Sequence, residues 1–177
     1  MAIQSGLPRF AGNDEEVEMY DSKIATADTA TMYRDLAGAL EGLVSGETDA
    51  VANMANAVAL IWETLPDLNW AGFYRNVGGE LVLGPFQGRP ACIRIAFGEG
   101  VCGAAAATKQ VQRIDDVHAF PGHIACDSAS NSELVVPILR DGELIAVLDL
   151  DSPKHARFTD EDDAGVTTLA EILARAI

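Results

Sequence analysis

Residues 133–151 read ELVVPILRDGELIAVLDLD, and this stretch decides the class of the fold. Two apolar runs, 133–139 and 144–151, flank the turn-forming residues Arg140-Asp141-Gly142. Asp-Gly between two such runs is a strong signal for a β-hairpin. The sequence therefore predicts a pair of antiparallel strands here.

The segments on either side of this hairpin predict further strands and helices. Apolar residues at helical spacing predict helices from Asp28 to about Gly46, over 49–65, and from Phe158 onward with Thr159 as the cap. Strands are predicted at 70–74, 80–86, 92–97 and 111–114, with a short Ala-rich helix before the last of them.

This order of elements predicts an α+β fold, in which the N-terminal helices and the C-terminal helix pack on one face of a mostly antiparallel central sheet. Residues 1–25 show no sustained period, so we expect an N-terminal tail there and a single domain over 26–177. Residues 115–131 are polar and predict a long loop of the kind that is usually functional or disordered.

Charge and composition exclude several classes of partner. The 177 residues include 12 Lys and Arg against 27 Asp and Glu, a net charge of −15. Binding to nucleic acid or to an anionic membrane needs clustered cations, so we expect neither partner. The apolar stretches, such as 145–148, are too short to span a bilayer. No basic segment followed by an apolar one opens the chain, and we expect a cytoplasmic location.

Two motifs suggest a dinucleotide cofactor or a metal ion, but neither motif has the features that such a site needs. Residues 98–103 match the glycine pattern of a dinucleotide-binding turn, but the helix that follows is too short for a parallel crossover. We interpret this turn as a place where the backbone closely approaches another segment. The spacing of His118, His123 and Cys126 matches no structural zinc pattern. We therefore expect no metal and no cofactor.

The three cysteines, Cys92, Cys102 and Cys126, are too few and odd in number for a disulfide framework. Cys92 and Cys102 have apolar neighbours, which suits small buried side chains. Cys126 instead lies in the polar loop beside Asp127. A thiol in such a loop is a candidate nucleophile.

Three carboxylates form a second candidate group. Asp149 and Asp151 alternate along one strand and so project to the same face, where they could hold a cation or raise each other's pKa, unless they simply form a solvated strand end. A two-residue turn would pair Glu133 with Leu150 and separate it from both aspartates. A three-residue loop with Gly142 in the left-handed conformation instead pairs Glu133 with Asp149. We expect this longer loop, with a glycine bulge and at least one raised carboxyl pKa.

A series of short motifs runs along the chain. In order they are NWAGFY (69–74), LGPFQG (83–88), PAC (90–92), GVCG (100–103), DVHAFPGHIACD (116–127), SNSE (130–133) and LDLDSP (148–153). This series closely resembles the free methionine-(R)-sulfoxide reductases, a family of GAF domains. The resemblance covers roughly residues 30–175, and the loop that contains Cys126 is its most specific part.

The resemblance implies a GAF-like fold and reduction of the R-sulfoxide of free methionine without a cofactor. It implies that Cys126 is the nucleophile, Cys92 the resolving thiol and Cys102 a second relay. The sulfenic acid formed on the nucleophile would condense with a second thiol to a disulfide. A dithiol of the thioredoxin type would then restore the enzyme.

The resemblance also implies roles for the side chains around the substrate. Glu133, Asp149 and Asp151 match carboxylates that polarise the sulfoxide or hold the amino group, so that Glu133 and Asp151 count as catalytic candidates. Trp70 and Tyr74 match the aromatic wall of the pocket. Two other readings stay open, a GAF module that senses a small ligand without catalysis and a structural domain that dimerises through its terminal helices. Whether the protein is a homodimer also stays open.

Overall fold

The structure is a computed structural model and describes residues 28–122 and 128–177. Each of the predicted helices and strands is present within these ranges. The elements are α1 (Thr29–Val44), α2 (Ala50–Thr64), β1 (Trp70–Val77), β2 (Glu80–Gly88), β3 (Arg94–Ala96), α3 (Gly100–Thr108), β4 (Gln112–Ile114), a 3₁₀ turn (Val117–Ala119), β5 (Ser132–Arg140), β6 (Glu143–Ser152) and α4 (Asp160–Leu173). The predicted tail, residues 1–25, lies outside the described residues, and the domain division stays a prediction.

The helices start where the sequence places their capping residues. Asp28 accepts a hydrogen bond from the backbone N–H of Thr31, and Asp49 accepts one from Ala52. Thr159 caps α4 in a reciprocal arrangement with Asp162. These side chains satisfy backbone donors that would otherwise have no partner in the first helical turn. No helix in the described ranges has both the length and the apolar character needed to cross a membrane.

The six strands of the described residues form one sheet in the order β3-β2-β1-β6-β5-β4, with every neighbouring pair antiparallel. This arrangement confirms the predicted antiparallel sheet and the GAF-like α+β class. Strands β1 and β6 lie at the centre of the sheet. Both faces of these two strands are therefore covered by packed side chains.

Each face of the sheet has its own apolar core. On one face α2 and α4 pack on the sheet and α1 packs on these two helices, and the shared core includes alternate strand residues such as Phe73, Leu134 and Leu148. The prediction that the terminal helices share a face is confirmed. On the opposite face α3 packs with Val135 and Val147, the residues that alternate with the first set. The site residues project from this second face.

Candidate active site

The predicted site residues of β1, β5 and β6 lie at one end of the sheet. Trp70 pairs with Asp151 across the two central strands, and Asp151 also pairs with Glu133 on its other side. Paired residues share a face, and Asp149 shares it too because it lies two positions before Asp151. The structure therefore brings Trp70 and all three carboxylates to one face.

The turn that joins β5 to β6 differs from the predicted one. It contains two residues, Asp141 and Gly142, which have φ angles of 52° and 79°, and Arg140 pairs directly with Glu143. The predicted three-residue loop is therefore wrong. Two-residue turns with both residues in the left-handed region are favoured because their twist matches that of the flanking strands.

A bulge in β6 keeps the carboxylates together despite the shorter turn. The pairing of the two strands shifts by one residue at Ile145, which has no partner in the register. The shift moves Glu133 from Leu150, its partner in an unbroken two-residue hairpin, to Asp151. The predicted pairing of Glu133 with Asp149 is also wrong, but the two side chains still share a face.

Burial dominates the electrostatics of these carboxylates. Glu133 is 6% and Asp149 5% exposed. Burial raises the pKa of Asp149 to about 7, although hydrogen bonding by Cys102 and Glu133 offsets part of the rise. Burial, followed by the charges of Asp149 and Asp151, raises the pKa of Glu133 well above its ordinary value. The expectation that at least one carboxyl pKa is raised is confirmed, and a protonated Glu133 can act as a proton donor at neutral pH.

Cys102 lies directly against this cluster. Its Sγ is 4.0 Å from Oε1 of Glu133, and the side chain is buried in the first turn of α3. Burial, and then the charges of Asp149 and Glu133, raise the pKa of the Cys102 thiol well above its usual value. A thiol that is neutral at physiological pH is a weak nucleophile.

The other two cysteines differ in what the structure describes. Cys92 is half buried shortly before β3, whereas Cys102 is buried. Cys126, the predicted nucleophile, lies outside the described residues, and its role stays a prediction. A hydrogen bond joins described residues that precede and follow Cys126 in the chain: the backbone N–H of Val117 donates to the carbonyl of Asn131 at 3.0 Å.

Stacked aromatic rings form one wall of the site. The rings of Trp70 and Tyr74 lie 5.9 Å apart, and the ring of Phe86 also stacks with Trp70, at 5.5 Å. The indole N–H donates to the backbone oxygen of Arg89 at 3.1 Å. Sequence reasoning assigned no role to Phe86 or Arg89. The signal beside them is Gly88, which has a φ of 120° and no room for a Cβ.

A small pocket opens to solvent between this wall and the carboxylates. It is lined by Trp70, Tyr74, Arg89, Pro90, Ala91, Asp149 and Asp151. Aromatic faces on one side and acidic groups on the other suit a small molecule that has an apolar part and a positive charge.

The glycine-rich turn before α3 has a packing role. A Cβ on Gly103 would lie 2.5 Å from the backbone oxygen of Ala96. The prediction of a close backbone approach is confirmed at this position. This approach brings the first turn of α3, and Cys102 with it, down onto the sheet.

The fold and this pocket agree with the family comparison. A sequence profile of the GAF domain family matches residues 29–177, and the chain belongs to this family. Within it the chain belongs with the free methionine-R-sulfoxide reductases. It is 53% identical to the enzyme of that name from Escherichia coli over 145 residues, 82% of this chain and 88% of the relative. It is 45% identical to that of Saccharomyces cerevisiae over 141 residues, 75% and 78% of the two chains.

A solved structure carries the same name. The crystal structure of free methionine-R-sulfoxide reductase from Neisseria meningitidis, in complex with its substrate, is 44% identical to this chain and has a TM-score of 0.86. The match covers 89% of this chain and 95% of the neighbour.

Proposed function

We propose that this protein reduces the R-sulfoxide of free methionine to methionine. One observation carries the proposal: Asp149, whose carboxyl pKa is raised, and Asp151 line a small open pocket together with the rings of Trp70 and Tyr74, and the carboxyl group of Glu133 lies beside that of Asp149. The relatives from E. coli and S. cerevisiae, which are 53% and 45% identical to this chain over the matched residues, are named for this activity. The reaction class is reduction at sulfur by a thiol.

The pocket offers a partner for each part of the substrate. The ammonium group binds between Asp149 and Asp151, and the apolar chain lies along Trp70. The substrate carboxylate needs hydrogen-bond donors, which we assign to backbone N–H groups that follow Pro121 in the loop up to Cys126 and to Arg89, a lining residue. This arrangement binds the free amino acid, because a residue within a peptide lacks both charged ends.

Chemistry begins with attack of the Cys126 thiolate on the sulfoxide sulfur. Glu133 donates a proton to the sulfoxide oxygen, and this oxygen is transferred to the sulfur of Cys126. The products are methionine and a sulfenic acid on Cys126. The Cys92 thiol then attacks the sulfenic sulfur, and water leaves as a disulfide forms. A dithiol of the thioredoxin type reduces this disulfide, directly or through Cys102 as a relay. We place the reaction in the cytoplasm, where such dithiols are kept reduced.

The assay is incubation of the reduced protein with each epimer of free methionine sulfoxide and a dithiol, with methionine as the measured product. We expect methionine from the R epimer only. Binding of the R epimer without any product would instead support a sensor module and contradict the proposal.

Cysteine variants test the order of the thiol steps. Without reductant, Cys92→Ser should still form one methionine per protein, because the first step needs no resolving thiol. Cys126→Ser should form none. A full stoichiometric burst from Cys126→Ser would move the nucleophile elsewhere, first of all to Cys102.

A further inference from the structure

The side chains of Cys102, Glu133 and Asp149 have the composition of a metal-ion site. One ligand atom from each, a sulfur and two carboxylate oxygens, lies within 4.8 Å of the others. All three residues are more than nine-tenths buried. Their spacing of 31 and 16 positions along the chain matches no sequence motif, so only the fold brings them together.

The distances are close to those of a zinc centre. Zinc bonds of about 2.3 Å to sulfur and about 2.1 Å to oxygen, at tetrahedral angles, place the two ligand atoms about 3.6 Å apart. Sγ of Cys102 and Oε1 of Glu133 are 4.0 Å apart. A small rotation of either side chain therefore brings both atoms to bonding distance.

A second, independent observation, an unpartnered buried oxygen, favours a cation at this place. Oδ1 of Asp149 is fully buried, and the hydrogen bonding of Cys102 and Glu133 to this carboxyl group leaves Oδ1 without a partner among the described residues. A buried acceptor without a partner is costly, and a cation would satisfy it. Asp149 also lines the solvent-open cavity, which gives an ion a route to the cluster and leaves a coordination position facing the cavity.

We propose that the reduced protein binds one Zn²⁺ ion, or a divalent cation of similar softness, through Cys102, Glu133 and Asp149. A thiolate ligand favours such ions over Mg²⁺ and Ca²⁺, which prefer oxygen. Coordination displaces the thiol proton to solvent and requires the reduced form of Cys102.

Occupancy of this site has a consequence that rests on the proposed function. The ion would hold Asp149, which the substrate ammonium needs, and Glu133, which donates the proton. Zn²⁺ therefore inhibits reduction in competition with the sulfoxide. Zn²⁺ binding itself is independent of turnover, so the two ideas can fail separately.

The test is a titration of tag-free, reduced protein with Zn²⁺ against a chromophoric chelator. We expect one equivalent to bind and no comparable binding of Mg²⁺. Cys102→Ala and Asp149→Asn should each weaken Zn²⁺ by about 100-fold, because each removes one of three protein ligands. Cys92→Ala is the matched control, since it removes a thiol outside the cluster and should bind Zn²⁺ as the wild type does.

Three results would overturn the proposal. They are absence of stoichiometric binding, unchanged affinity in both ligand variants, and equal loss in Cys92→Ala. Thermal unfolding of each variant shows whether it is folded. If Cys102→Ala is not folded, the Zn²⁺ affinity of the near-isosteric Asp149→Asn variant tests the proposal. A protein that binds Zn²⁺ but forms no methionine would retain this site and refute only the proposed reaction.

Discussion

Replacing Asp149 by Asn should stabilise the protein in a way that depends on pH. Burial raises the pKa of this carboxyl group from 3.8 to about 7 in the folded state. Between these values the folded protein holds a proton that the unfolded chain has lost, so the free energy of unfolding falls as pH rises. Asn has nearly the same shape and no proton to lose.

The size of the effect follows from the shift of the pKa. Each unit is worth about 1.4 kcal/mol, so a shift of about three units removes about 4 kcal/mol from the wild type by pH 8. The variant keeps this free energy. The difference in stability between variant and wild type should therefore grow by about 4 kcal/mol between pH 4 and pH 8 in favour of the variant.

Urea unfolding at a series of pH values measures this difference, with a reductant and a chelator present to keep thiols reduced and metal ions away. Asp35→Asn is the control, because it makes the same substitution at a half-exposed position on α1, outside the buried carboxylate cluster. A difference for Asp149→Asn that stays constant across the range, or that turns against the variant at pH 8, refutes the reasoning.

Two further predictions concern the proton donor and the packing of α3. Glu133→Gln should keep the fold and lower kcat by about 100-fold or more, because the amide cannot donate the proton. The wild-type kcat should decline at high pH, where Glu133 loses its proton, and this decline should disappear in the variant. An unchanged pH profile of kcat would contradict this role. Gly103→Ala should lower the free energy of unfolding by about 1–3 kcal/mol, since its Cβ meets the backbone of Ala96. The control is Gly38→Ala on α1, whose Cβ meets nothing within 4 Å and which should slightly raise the free energy of unfolding. Equal effects of the two substitutions in urea unfolding would show that the close approach is unimportant.

Local signals made much of the fold predictable. The caps Asp28, Asp49 and Thr159 act within three residues of themselves, so their helices could be placed from the sequence. The alternation of Asp149 and Asp151 likewise fixed which residues share a face. These features depend on short-range geometry that every strand or helix of the same pattern adopts.

The register of the hairpin could not be predicted in the same way. The predicted three-residue loop places Glu133 beside the aspartates, but the structure does not contain this loop. The structure uses the favoured two-residue turn and restores the register at Ile145. A bulge depends on how both strands twist against their neighbours, and no residue type marks its position.

The arrangement of the pocket was predictable only in part. Trp70 and the carboxylates follow from strand positions, whereas Cys102 reaches them because α3 packs closely at Gly103. Arg89 enters the pocket through a turn that begins at Gly88. Both contacts join segments far apart along the chain, and neither leaves a periodic signal in the sequence.

The central claim is that the acidic end of the pocket recognises the ammonium group of a free amino acid. A cycle of four kcat/KM values tests it, with wild type and Asp151→Asn each assayed on free and on N-acetylated methionine-R-sulfoxide. Acetylation removes the charge that Asp151 binds, so the wild type should lose about 100-fold or more and the variant less than about tenfold, a coupling above about 1.4 kcal/mol. Equal losses from acetylation in both proteins would contradict the account.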